Sequence, residues 1–318
     1  MDTESIASIL GVVLAAGTLN LAVATATPIA LGAFAGLFSE RSGVVNIAIE
    51  GMMLTAAMSA AFASAYTGSL YWGLIAAIIS GALMAAFHAL LSIHFKMNQI
   101  ISGTVVNFLA WGLTGHLYQT YLVPPHWPGS AGNFQRISIP YLSDISIGGY
   151  DVGEIFFKQG PIVITMLILA FVIHYVLFYT PWGLRMRSVG EHPEAADTVG
   201  INVFVTRYAN VIIGGTLAGL AGAWMTLEWI DNFTIRMTTG RGFIALAALI
   251  FGRWTPFGAL GAALLFGLAN AIQIRLQIKL PEVPAELFQM LPYVLTIIVA
   301  ALARPVPPKA VGQPYQKE

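Results

Sequence analysis

Polar side chains inside long apolar stretches are costly, so those found there are the first candidates for chemistry. Asn46 precedes Glu50 by one helical turn at the mouth of one such stretch, and Asn107 and Trp111 stand at the same spacing. Asn270 and Gln273 share a face of a late stretch, and Glu228, Trp229, Asp231 and Asn232 cluster at the end of another. An amide offers a donor and an acceptor side by side, and so pairs with hydroxyls or base edges. A tryptophan face stacks on sugar or base rings. Such a set suits reversible binding of a polar ring solute such as a nucleoside or a sugar. Each residue also has a second reading. Asn and Gln join membrane helices. Glu40, Arg41 and Glu50 have the makings of an internal ion pair near a helix break. Trp72, Trp182 and Trp254 read as interfacial anchors.

Bond-breaking chemistry finds no support. The chain has no cysteine, which excludes disulfides, thiolate catalysis and zinc–thiolate sites. His88, His94, His116 and His174 are scattered without metal-ligand spacing. There is no His-x-x-x-His, Glu-x-x-His or Gly-x-Ser-x-Gly pattern, and no Gly-x-x-x-x-Gly-Lys-Ser/Thr phosphate loop. No catalytic residue and no metal site are therefore expected.

The elements that position these residues follow from composition. Of 318 residues, 57% are hydrophobic and 9% are charged, with a mean hydropathy of +0.75. A soluble domain carries about 25% charged residues. A bilayer is the solvent that this chain suits. The formal net charge is zero, so no basic surface for nucleic acid is expected. Charges punctuate the apolar runs. The run from Glu4 to Glu40 accommodates two tightly turned helices, the second broken or bent near Pro28 and Gly32, and its start reads as a span and not a removable signal. Glu50 to Lys96 encloses a pair split near Thr67-Gly68-Ser69. Further spans follow at Gln99–Val123, Pro161–Pro181, Tyr208–Trp229, Thr255–Ile274 and Glu286–Ala303, with a short embedded helix at Gly242–Gly252. The Pro- and Gly-containing segment 124–159 does not belong in lipid, where its backbone would be unsatisfied.

The expected fold is all-α: one transmembrane domain over residues 1–318, a polytopic bundle of about ten helices with two weakly related halves. The halves echo one another in Gly-led apolar segments at 42–51 and 241–247. Lys and Arg bias puts Arg41, Lys96, Arg185, Arg187, Arg207, Arg253, Arg304, Lys309 and Lys317 in the cytoplasm. It puts Arg136, Lys158, Arg236, Arg241, Arg275 and Lys279 outside. Segment 124–159 is then extracellular, and segment 185–207 is cytoplasmic.

The cytoplasmic segment contains Gly190-Glu191-His192-Pro193-Glu194-Ala195-Ala196-Asp197-Thr198-Val199-Gly200-Ile201-Asn202. Pro193 suits a first helical turn, and Glu194 and Asp197 favour its positive end. Ala195 and Ala196 are strong helix formers. Gly200 stops the helix in a left-handed conformation, and Asn202 caps the next one. The result is a short, slim surface helix, which reads either as a docking element or as a plain turn.

Glu194-Ala195-Ala196, three residues and Gly200 resemble the EAA-x-x-x-G coupling motif of ABC importer permeases. Ser39 to Met53 and Gly242 to Ala247 resemble two further motifs of the branched-chain amino acid, simple sugar and nucleoside permeases, over about Pro28 to Ala303. The Glu50-Gly51-Met52-Met53 form is similar to the nucleoside and simple-sugar branch. The distal Ile-x-Leu-Pro of other importer classes is missing after Gly200. The resemblance implies a cell-membrane permease subunit of an ATP-driven, binding-protein-dependent importer. Its implied partners are ABC ATPase subunits, which bind ATP and Mg in place of any cofactor here, a second permease and an external solute-binding protein. It implies a coupling role for Glu191, Pro193, Glu194, Ala195, Ala196 and Gly200. It also places Asn46, Glu50, Asn107, Trp111 and Phe243 along the path. The rival reading is an ion-coupled secondary transporter, with Glu50 and Glu228 as its acidic groups.

Overall fold

A computed structural model describes residues 11, 15–123, 129–138, 142–146, 151–280, 283–302 and 306–317. In chain order the helices are α1 (Ala16–Arg41), α2 (Ile49–Thr67), α3 (Leu70–Ala89, continued by a π-turn to His94) and α4 (Gln99–Tyr121). A two-stranded antiparallel patch, β1 (Ile137–Ser138) with β2 (Lys158–Gln159), brackets α5 (Val152–Phe157). Then come α6 (Pro161–Tyr179), α7 (Pro181–Glu191), α8 (Pro193–Thr198) and α9 (Val203–Trp224, continued by a π-turn to Trp229). The chain closes with α10 (Arg241–Phe251), α11 (Pro256–Lys279), α12 (Ala285–Gln289) and α13 (Leu291–Leu302). Among the described residues, α1, α3, α4, α6, α9 and α11 are long and apolar enough to cross a membrane. This is the expected all-α multi-pass bundle.

Burial ranks the helices. The apolar window of α1 is 94% buried and that of α9 78%, against 28% for α3 and α11. α1 is therefore the axle, and α3, α4, α6 and α11 face lipid with side chains such as Leu83, Phe108, Phe171 and Leu265. α3 and α9 meet backbone to backbone: a Cβ on Gly81 would lie 2.4 Å from the Gly215 carbonyl oxygen. Small residues allow such an approach, and packing replaces the missing hydrophobic drive in lipid.

The break expected at Pro28 and Gly32 does not occur. α1 runs through both as one helix of 26 residues, taking most of the run read as two helices. The remainder of that run lies largely outside the described residues. Burial on all sides holds the Pro28 turn, as neighbouring helices permit in membranes. Gly32 is a packing position: a Cβ there would meet Ala245 Cβ at 2.7 Å.

The two ends separate the charges. At one end Arg41 Nε donates to the Trp254 carbonyl (2.8 Å), and Arg207 Nε donates to that of Ser42 (3.2 Å). The Ala310 N–H bonds the Gly190 carbonyl there (2.9 Å). At the other end Arg136 approaches Asn20 (3.4 Å), and Arg275 lies against Gly17. Arg241 departs from the expected sorting. α10 runs beside α1 with Ala245 at Gly32 and Leu249 near Gly36. Arg241, one turn earlier, lies opposite the middle of α1 and not in an outer loop.

Candidate functional site

Segment 42–48 is non-helical yet mostly buried, and it enters the bundle between α1 and α2. Irregular backbone at that depth must find partners. His88 Nε2 donates to the Val45 carbonyl (3.0 Å), while His88 Nδ1 bonds Ser102 Oγ (2.9 Å). Gln99 Oε1 accepts from the Val45 N–H (2.6 Å). Asn107 Nδ2 donates to the Ile47 carbonyl (3.1 Å), and its Oδ1 accepts from the Gly51 N–H (2.8 Å). Asn46 Nδ2 donates to Ser39 Oγ (3.0 Å), leaving its buried Oδ1 without a partner.

Glu50 ties this segment to the other half of the chain. Its carboxylate accepts from the Gly240 N–H (2.9 Å) and the Gly242 N–H (2.7 Å), capping the start of α10. A carboxylate suits a helix N-terminus, where N–H groups lack partners. The two segments that echo each other in sequence thus meet in space. The ion pair expected among Glu40, Arg41 and Glu50 does not form. Glu40 instead accepts from Trp254 Nε1 (2.6 Å), and Trp254 is only 4% exposed. Trp254 is therefore a buried partner and not an interfacial anchor. Trp111 stands one turn from Asn107 with Arg236 over its ring (5.2 Å), and Phe243 is exposed on α10.

The outer polar cluster disperses. Glu228 caps α6 by accepting from the Ile162 N–H, and Asn232 accepts from its neighbour Phe233 (2.8 Å). Trp229 instead stacks on buried Trp224 (5.2 Å, 22°). That pair borders a polar cavity. Two cavities of about 250 and 200 Å³ share Arg241, Asn270 and Gln273 as lining residues. The first adds Thr239, Gln289 and Tyr293, and the second adds Thr25, Trp224 and Trp229. Sequence reading found the amide pair and Trp229, but placed Arg241 outside and missed Trp224.

The short helix forms as expected at Pro193–Thr198. Gly200 ends it at φ +85°, with Gly200 N–H to Asp197 O (2.9 Å) and Ile201 N–H to Ala196 O (3.0 Å). This is the paired-bond stop that satisfies the last carbonyls. Asn202 then caps α9 through the Val205 N–H (3.0 Å). The two alanines differ. Ala196 is 3% exposed, packed with Val189, Val203 and Tyr315. Pro193 is buried as well, so these two anchor the helix to its own chain, and Glu194, Ala195, Thr198 and Val199 face outward. Glu191 accepts from the Lys309 N–H (3.4 Å). The C-terminal tail straps this face. Tyr315 sits against Phe204 (5.4 Å), Gln313 O accepts from Arg207 (3.0 Å), and Lys317 pairs with Asp197 (3.8 Å). Nothing in the loop sequence signals the tail. Only Tyr315, the one aromatic residue of the terminal stretch 304–318, hints at it.

Residues 17–300 match the family described as branched-chain amino acid transport system / permease component. The guanosine ABC transporter permease NupQ of Bacillus subtilis is 41% identical, covering 92% of this chain and 94% of the relative. The nucleoside ABC transporter permease NupC of Lactococcus lactis is 38% identical, covering 94% and 98%. TsgC13 of Haloferax volcanii, a permease provisionally assigned to glucose, is 39% identical over 83% of this chain and 78% of its own length. A solved ABC transporter, provisionally assigned to the metal-chelate type and captured in an inward-facing conformation, shares the fold, with a TM-score of 0.53 and 17% identity over 90% of this chain and 85% of that one. The chain belongs to the branched-chain amino acid transport system permease family and is a multi-pass membrane permease subunit of an ABC transporter.

Proposed function

We propose that this permease passes a nucleoside, or failing that a simple sugar, in a binding-protein-dependent importer powered by separate ATPase subunits. The observation that carries the solute class is the pair of relatives named for guanosine and nucleosides, both matched over more than nine-tenths of each chain. ATP and Mg belong to the ATPase partner. A second permease copy or homologue completes the path, and an external binding protein delivers the solute.

The coupling face is the outward side of α8. Glu194, Ala195, Thr198 and Val199 enter a groove of the ATPase, and Val199 at 75% exposure supplies the apolar contact. Because α8 is tied to α9, to the tail and, through Gly190, to the end of α1, a push on it moves the central helix as a rigid body. Ala195→Trp fills the groove from the exposed side. Gly200→Val puts a β-branched residue at φ > 0, a strain of about 1–2 kcal/mol. Both variants are expected to lose solute-stimulated ATP hydrolysis in proteoliposomes while staying inserted. Parental ATPase pull-down and parental transport in both variants would leave α8 a plain turn.

A further inference from the structure

A side-chain amide carries two donors and an acceptor oxygen, and one that the chain leaves unbonded keeps that capacity for whatever enters beside it. Asn270 and Gln273 are half-buried on one face of α11, yet neither side chain makes a hydrogen bond among the described residues. Arg241 lies beside them with both of its hydrogen bonds made by Nη1, to Met237 O (3.1 Å) and Thr239 Oγ1 (3.2 Å). A guanidinium carries five N–H donors in a flat fork. Trp229 adds an aromatic ring, stacked on Trp224. Thr25 adds wall only, because its hydroxyl is already held by backbone carbonyls, including that of Gly267 (3.0 Å). Thr239, a β-branched residue at φ +46°, adds local strain at the rim.

From this geometry we infer that the smaller cavity, where Trp229 joins Arg241, Asn270 and Gln273, is a resting site that holds a nucleoside by its base. The inference rests on the importer reading above and assigns it residues. A base offers a π-face to Trp229, and adjacent donors and acceptors at its edge to the two amides and the Arg241 fork. A monosaccharide has hydroxyls for the amides but no flat acceptor edge for the fork. A branched-chain amino acid has a carboxylate for Arg241 but leaves both amides facing an apolar tail. Binding here is weak, since a site inside a path must release what it holds.

The test uses the permease–ATPase complex in nanodiscs, without binding protein, probed with radiolabelled guanosine, glucose and leucine by scintillation proximity. The parent is expected to retain guanosine saturably and neither of the others. The double change Asn270→Ala with Gln273→Ala, and separately Trp229→Leu, are expected to weaken retention about tenfold or more, with ATPase co-purifying at parental yield. Asn270→Ala alone serves if the double variant fails to insert. Parental retention in inserted variants places the site elsewhere while the importer reading stands. Absence of any saturable signal from a complex that transports nucleosides rules the resting site out. Retention of glucose or leucine in place of guanosine overturns the solute class. A complete transporter that moves neither nucleoside nor sugar overturns the importer reading, and this site with it.

Discussion

Two sets of amides, one buried and one half-buried, look alike in the sequence and differ in the fold. Around segment 42–53, Gln99 and Asn107 have their amide groups on backbone partners, as does the imidazole of His88. Around the Arg241 cavity, Asn270 and Gln273 bond nothing among the described residues. The first set replaces the hydrogen bonds that a helix would have made and lets a non-helical strand enter the bundle. The second set leaves its capacity for a visitor. A polar residue in a membrane helix therefore declares its role by whether its partners are already present, and not by its type. Asn46 falls between the two, with its Nδ2 paired and its Oδ1 unpaired.

The sharpest break in this contrast is at Glu50. Glu50→Ala orphans the part-buried Gly240 N–H and the buried Gly242 N–H. Hydrogen bonds to a charged group are worth about 1.5–3 kcal/mol each, so the loss is about 3 kcal/mol or more. The expected result is little inserted protein, measured as membrane abundance, with partial recovery in Glu50→Gln, which keeps one acceptor. Parental abundance in Glu50→Ala would mean that α10 is not held by this cap. It would also return Glu50 to the list of groups free to act in the path.

Asn107→Ala comes next. It leaves the Ile47 carbonyl and the Gly51 N–H without their partner, at about 1–3 kcal/mol. The expected result is a lower Tm of the detergent-solubilised complex, with transport falling only as far as abundance does. A variant with parental Tm and lost transport would move Asn107 from scaffold to path.

The sequence showed most of the architecture because charge and hydropathy act locally. The Gly68 turn, the Gln99 start and the Pro193–Thr198 helix with its Gly200 stop all follow from residues within a few positions. What it hid was long-range pairing. Nothing near Glu50 indicates that its partners lie 190 residues on. Pro28 reads as a break because the local rule for proline is strong, and only the surrounding helices overrule it. Ala195 and Ala196 are equal in propensity, and the fold alone decides that one faces out and the other packs on Tyr315. Arg241 reads as a loop charge because a charge after a polar stretch normally is one. Its depth follows from the register of α10 on α1.

The smallest expected stability change belongs to the second set. Asn270→Ala and Gln273→Ala remove side chains whose amides have no partner among the described residues, so no donor or acceptor is orphaned there. Alanine is also the best helix former, and both positions lie well inside α11. Changes away from bonded or packed features stay within about 0.5 kcal/mol. The Tm of the solubilised complex should therefore match the parent, in contrast to Asn107→Ala, while nucleoside transport falls. The pairing of results is what matters, because either one alone has a bland cause. Lost transport with a lowered Tm is damage, and an unchanged Tm with full transport is indifference. A Tm lowered as far as in Asn107→Ala would show that these amides are bonded in the assembled transporter, for example to a second permease. The distinction between scaffold and visitor amides would then fail at the cavity where it was drawn.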